Sequence, residues 1–195
     1  MKIIDGAKNF KAKVYPDMKE TFTKLESGQQ PEVLFITCSD SRVVPNLITQ
    51  TDPGELFIIR NAGNIVPKPG SGELGVEATI QYAVDVLKVD HIVVCGHSHC
   101  GAVSGLVNID SLESLPIIRD WVKRSEAILD NEECKSDIPK AIAANVALQI
   151  EHLKEHACVK GALDEGRLEL HGWVYHFESG KVDVVKGDGV EGLND

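Results

Sequence analysis

The chain has 195 residues, 43% of them hydrophobic, and carries 20 Lys and Arg against 30 Asp and Glu, a formal net charge of −10. That length and apolar content suit a single domain with a real core, and the acidic balance argues against nucleic acid or an anionic membrane surface as the main partner. No apolar run approaches the roughly 20 residues of a membrane helix, and the Met1–Gly6 stretch has no apolar leader segment, so the expectation is a soluble, cytoplasmic protein.

In chain order, Met1 to about Leu25 reads as helical with a break near Tyr15-Pro16, and Gln29-Gln30-Pro31 as a turn. Val33 to Thr37 is a continuous apolar run between turn residues, the pattern of a buried parallel strand. Pro45 opens a short helix through Leu47-Ile48. A second buried strand follows at Leu56–Ile59, then an irregular stretch from Asn61 to Gly72. Leu74, Ala78, Tyr82 and Val86, with Val76, Ile80 and Val84 between them, predict a long helix with a broad apolar face. Ile92–Cys95 is a third strand, and Gly101–Val107 a helix entered directly after it. Further helices are expected around Pro116–Leu129 and Ile138–His156, and a terminal hairpin or meander over Trp173–Phe177 and Val182–Val185. Strands alternating with helices imply an α/β fold with a mainly parallel central sheet flanked by helices. In such sheets ligands sit beyond the carboxyl ends of the strands.

Two clusters stand at those ends: Cys38-Ser39-Asp40-Ser41-Arg42 after the first strand and His97-Ser98-His99-Cys100 after the third. Two thiols and an imidazole form a soft donor set that suits zinc rather than magnesium or calcium. Three protein ligands leave a fourth position open, the mark of a catalytic zinc. Spacing alone leaves the histidine open. His97 gives a His-x-x-Cys step whose side chains converge across a turn, whereas His99 either supports the site from behind or is solvated. Cys95, inside an apolar strand, reads as a core thiol, and Cys134 and Cys158 as free thiols; an odd count of five cysteines argues against a disulfide framework. Asp40 and Arg42 lie close enough to pair through a bidentate fork, which would keep the carboxylate ionised and aimed at the metal. Without Arg42, Asp40 would itself take the fourth position, in a closed inactive form.

Gly70-Ser71-Gly72-Glu73-Leu74-Gly75 matches a dinucleotide fingerprint in letters but follows no strand, and reads as a helix entry. His152 and His156, four apart amid Glu and Lys, read as a solvated helix face. Trp121 and Trp173 read as packing residues.

With Cys38–Val43, Arg60–Asn64, Gly96–Gly101 and Leu170–Tyr175 in view, nearly the whole chain resembles the β-class carbonic anhydrases, particularly bacterial members such as the one that accompanies cyanate breakdown. The resemblance implies one domain over 1–195, with residues 1–30 as a helical arm packing on a partner subunit. It implies one Zn²⁺ per subunit on Cys38, His97 and Cys100, a catalytic dyad of Asp40 and Arg42, and a substrate pocket lined by Gln29, Phe57, Ala62 and Tyr82, partly across a dimer interface. Some members bind inhibitory bicarbonate beside a Trp three residues before the first cysteine. Phe35 stands there in this chain, and with Gln29 it resembles the plant-type, permanently open subgroup. The implied activity is reversible hydration of carbon dioxide to bicarbonate by a zinc-bound hydroxide, in a homodimer or homotetramer. The alternative readings are a hydrolase of a related small molecule such as carbon disulfide on the same zinc site, or a non-catalytic zinc or bicarbonate-sensing module. His91, His99, His171, His176 or external buffer would carry the released proton.

Overall fold

A computed structural model describes residues 1–187 and 189–193. Its centre is a six-stranded sheet in the order β2-β1-β3-β4-β5-β6. The strands are β1 (Val33–Cys38), β2 (Leu56–Asn61), β3 (His91–His97), β4 (Glu169–His176), β5 (Lys181–Lys186) and β6 (Gly189–Gly192). The first four are parallel and the last two antiparallel. The chain leaves β1 for β2 on one side, and leaves β3 for β4 on the other. The gap between the carboxyl ends of β1 and β3 is therefore the switch point where open α/β sheets place their ligands. Both motifs end there, Cys38 as the last residue of β1 and His97 as the last of β3.

The sheet buries one face under helices. Leu34, Ile36, Cys38, Ile92 and Val94 pack against α4 (Leu74–Gln81) with its π-helical continuation Tyr82–Leu87, α5 (Gly101–Val107), α7 (Ile138–Glu155) and α8 (Ala157–Asp164). The strand residues between them, Phe35, Val93 and Cys95, form a smaller cluster on the opposite face with Trp173 and Tyr175, as the two-residue period of a strand requires. Phe35 meets Trp173 edge-on at 6.1 Å between ring centroids. Gly96 lets α7 approach β3 closely: a Cβ there would stand 2.8 Å from Val146 Cγ2.

The N-terminal helix does not break at Pro16. α1 (Lys2–Asn9) runs through a π-helical turn, Phe10–Val14, into α2 (Tyr15–Leu25). Tyr15 N–H reaches back five residues to the Phe10 carbonyl. The wider π turn absorbs the donor that proline lacks and the clash of its ring with the preceding turn. No residue of this 24-residue stretch is buried, although Ile3, Ile4, Phe10 and Val14 are apolar.

The helix over 74–87 forms as its periodicity predicts, but the two apolar sets part company. Ile80 and Val84 are fully buried, whereas Leu74, Ala78, Tyr82 and Val86 all face outward. The segment after Pro116 winds as α6 (Pro116–Val122) and then as 3₁₀ turns over Lys123–Asp130 and Glu132–Lys135. Among the described residues no helix is long and apolar enough to cross a membrane.

Candidate metal centre

Cys38, His97 and Cys100 come together, their ligating atoms all within 4.8 Å of one another and all three side chains buried. The turn after β3 makes this possible. His99 adopts a left-handed conformation, φ 53°, costly for a residue with a Cβ. That turn carries the His99 ring outward against Phe177, at 5.7 Å between centroids, and brings Cys100 inward at the cap of α5. The Ala102 and Val103 backbone N–H groups face the Cys100 sulfur from the first turn of α5.

The tautomer of His97 follows from its partners. Nδ1 lies 2.8 Å from the Ser98 carbonyl, which can only accept, so Nδ1 carries the proton. Nε2 is left as a bare lone pair, fully buried and without a partner. The two thiols divide a charge between them. Hydrogen bonding from Cys100, with a further bond from the Gly63 N–H, lowers the proton affinity of Cys38, while that of Cys100 is raised against it. Gly63 N–H approaches Cys38 Sγ to 3.4 Å. Its φ of +84° and a Cβ position only 3.0 Å from Ala102 Cβ explain why glycine stands there.

Asp40 and Arg42 form the expected fork. Nε donates to Oδ1 at 2.9 Å and a terminal nitrogen to Oδ2 at 2.7 Å. The Arg42 backbone N–H adds a third bond to Oδ1 at 3.0 Å. These bonds hold the Asp40 carboxyl well below the usual carboxylate range. Asp40 Oδ2 stands 3.8 Å from His97 Nε2, with both oxygens engaged by Arg42. The guanidinium also lies over the Phe177 ring at 4.2 Å and donates to the His99 carbonyl at 3.3 Å.

Of the four residues expected to line a pocket, Phe57 and Tyr82 pack against each other at 5.8 Å between ring centroids. Ala62 sits in the loop after β2, and Gln29 lies exposed between α2 and β1. A concavity of about 1080 Å³ between α7 and β4–β5 reaches the outer side of Ser98 and His99, but none of these four residues lines it.

Several supporting residues escaped the sequence reading. Arg60 donates to the Cys38 carbonyl at 3.1 Å and the Asp40 carbonyl at 2.8 Å, fixing the loop that carries the dyad. Trp121 is more than packing, since its indole N–H donates to the Ala62 carbonyl at 2.7 Å. Asn145 donates to the Gly63 carbonyl at 3.1 Å, and Gln149 accepts from the Val66 N–H at 2.8 Å. The four-residue spacing of Asn145 and Gln149 on an otherwise apolar helix face was the available signal. His152 and His156 are not solvated. Both are buried and meet the carbonyls of Val66 and Pro67 at 2.8 and 3.0 Å, extending the same clamp on the 62–67 loop. Cys95 is a core thiol, pushed up to about 12 by burial.

The family model of carbonic anhydrase matches residues 33–182. A protein described as carbonic anhydrase from Pseudomonas aeruginosa is 47% identical over 191 residues, covering 95% of this chain and 87% of that one. Among solved structures, the β-carbonic anhydrase CcaA superposes with a TM-score of 0.93 at 41% identity, covering 98% of both chains. One of two tetrameric β-carbonic anhydrases from Sordaria macrospora superposes with a TM-score of 0.84 at 28% identity, covering 95% of both.

Proposed function

The chain belongs to the β-carbonic anhydrase family, and we propose that it hydrates carbon dioxide reversibly to bicarbonate and a proton at a zinc ion held by Cys38, His97 and Cys100. One observation carries the metal assignment: His97 Nε2 is a buried lone pair with no partner, facing two cysteine sulfurs. Leaving such an atom unpaired costs about 1–3 kcal/mol, and an ion shared with two thiolates offsets that cost. The donor set of two thiolates and an imidazole suits zinc and leaves one position open. When bound, zinc supplies the Lewis acidity that brings the pKa of a water from about 15.7 toward neutrality.

The chain's own residues supply orientation. Asp40, kept ionised by the Arg42 fork, is an acceptor only, and Oδ2 stands 3.8 Å from His97 Nε2. A water or bicarbonate placed there must turn a hydrogen toward Asp40 and a lone pair or bond toward the pocket. The fork also stops Asp40 from occupying the open position, the arrangement expected of the open subgroup. Arg60 and the stacking of Arg42 on Phe177 hold the loop that sets this geometry. Phe57, Tyr82 and Ala62 are assigned to the apolar wall of the pocket and Gln29 to a donor on its rim, completed across a dimer.

The dimer reading is supported by the N-terminal helices, none of whose residues is buried, by the outward stripe Leu74, Ala78, Tyr82 and Val86, and by exposed Leu47 on α3 (Pro45–Thr49). Apolar exposure of this extent marks an interaction surface. The working unit is assigned as a homodimer or a multiple of it in the cytoplasm.

Stopped-flow carbon dioxide hydration on metal-replete protein tests the reading. Replacing Cys38, His97 or Cys100 by Ala should lose both zinc and turnover, whereas Cys134→Ser and Cys158→Ser should keep both. Full zinc retention in Cys100→Ala would remove the ligand assignment.

A further inference from the structure

A second group of potential ligands lies at the other end of the sheet, where the strands begin. His91 opens β3 and stands beside Glu169, the first residue of β4, in the parallel register; His171 follows two residues later on the same face. Backbone bonds pin this corner. The Asp90 and His91 N–H groups both donate to the Glu32 carbonyl, at 3.0 and 3.2 Å, and Glu169 N–H donates to the Asp90 carbonyl at 2.9 Å.

Three atoms face one another. His171 Nε2 is 3.2 Å from His91 Nδ1. Glu169 Oε2 is 3.6 Å from His91 Nδ1 and 3.7 Å from His171 Nε2. A triangle with sides of 3.2, 3.6 and 3.7 Å is circumscribed by a circle of radius about 2.0 Å, the length of a zinc–imidazole or zinc–carboxylate bond. A hydrogen bond between the imidazoles accounts for the first distance alone. The carboxylate oxygen is beyond hydrogen-bond reach of either ring, yet stands nearly equidistant from both. The other nitrogen of His91, Nε2, faces Glu32 Oε1 at 3.8 Å, as the free N–H of a ligating histidine commonly faces a carboxylate. The two imidazoles are about a third exposed, 33% for His91 and 36% for His171, so an ion and its waters can enter.

We propose that His91, His171 and Glu169 form a second divalent-metal site, for an ion of the zinc class, with Glu32 orienting His91 and the remaining coordination filled by water. Two imidazoles and a carboxylate suit zinc, copper or nickel over magnesium or calcium. The site would staple the start of β3 to the start of β4, remote from the reacting end of the sheet. It is independent of the ligand assignment at Cys38, His97 and Cys100.

Protein already holding one zinc per chain, titrated with further Zn²⁺ in a calorimeter at pH 7.5, tests it. One additional ion should bind per chain. His91→Ala or His171→Ala should abolish that event, and Glu32→Gln should weaken it roughly 10-fold. Zn²⁺ at a hundredfold over the second dissociation constant should raise Tm by roughly 5–10 °C, and the variant lacking both histidines should lose the rise. Retention of the first zinc shows that each variant is folded; His171→Gln, which keeps a polar side chain of similar reach, replaces His171→Ala if the latter fails that check. No second binding event in the native protein, or a second event that survives loss of both histidines, overturns the proposal.

Discussion

Replacing Gln149 by Met isolates the polar clamp between α7 and the loop beside the cysteine cluster. Gln149 is fully buried. It accepts from Val66 N–H at 2.8 Å and donates to Asn145 Oδ1 at 2.9 Å and Ser125 Oγ at 3.1 Å. Met has nearly the same volume, so no cavity opens, and the change reports the hydrogen bonds. Val66 N–H and Asn145 Oδ1 lose their partners in places closed to water, at about 1–3 kcal/mol each. The Ser125 hydroxyl can turn and contributes little. The thioether recovers about 1–2 kcal/mol by burying apolar surface. The expected net loss is about 1–4 kcal/mol, a fall in Tm of roughly 3–12 °C for a chain of this size. Urea unfolding of the zinc-loaded protein measures it, with protein and zinc concentrations held fixed because both enter the apparent stability. Because Asn145 also holds the Gly63 carbonyl, hydration activity should drop in the same variant. A loss below about 0.5 kcal/mol would refute the view that this network holds the loop.

Arg42→Ala should lower kcat/KM for hydration by roughly 10²-fold or more with zinc content unchanged, because the freed Asp40 turns to the open position; normal turnover with stoichiometric zinc would exclude that role. Burial lowers the pKa of His152 below its ordinary 6.5, so the unfolded chain binds more protons just below that pH. Stability should therefore fall as pH drops below about 6.5 and level off once the folded-state pKa is passed. His152→Gln should flatten this slope in urea titrations between pH 5 and 7.5, and an unchanged slope would count against it. Sedimentation velocity at micromolar concentration should show a dimer or larger, and Tyr82→Glu with Val86→Glu should shift it toward monomer; a fully active native monomer would rule out the shared pocket.

The convergence of Cys38, His97 and Cys100 was legible because the chain changes character abruptly there. Two apolar runs stop, and the next residues are thiols, imidazoles and an Asp-x-Arg. The choice of His97 over His99 was less so, since it depends on a left-handed backbone at His99 that no local pattern announces. Outward and inward faces were confused in the helix over 74–87, because Leu74 and Ile80 are equally apolar and only the tertiary packing assigns them. His152 and His156 were misread for the opposite reason. Their neighbours are charged, and their partners are carbonyls of an irregular loop more than eighty positions earlier in the chain. The helix did not stop at Pro16 because a π turn, which leaves no sequence signature of its own, absorbed the ring.

The two halves of the donor cluster come from different parts of the sheet, Cys38 from the end of β1 and His97 and Cys100 from the end of β3 and the cap of α5 that follows it, joined only once Val33–Thr37 lies against His91–Cys95. Closing the loop between them carries an entropic cost that grows only slowly with its length, and the complete donor set exists only once that pairing has formed. An ion held there would tie those two strands together through a fully buried imidazole. A chelator that removes it should therefore loosen the pairing of β1 with β3, and amide hydrogen exchange along those two strands would read that loosening.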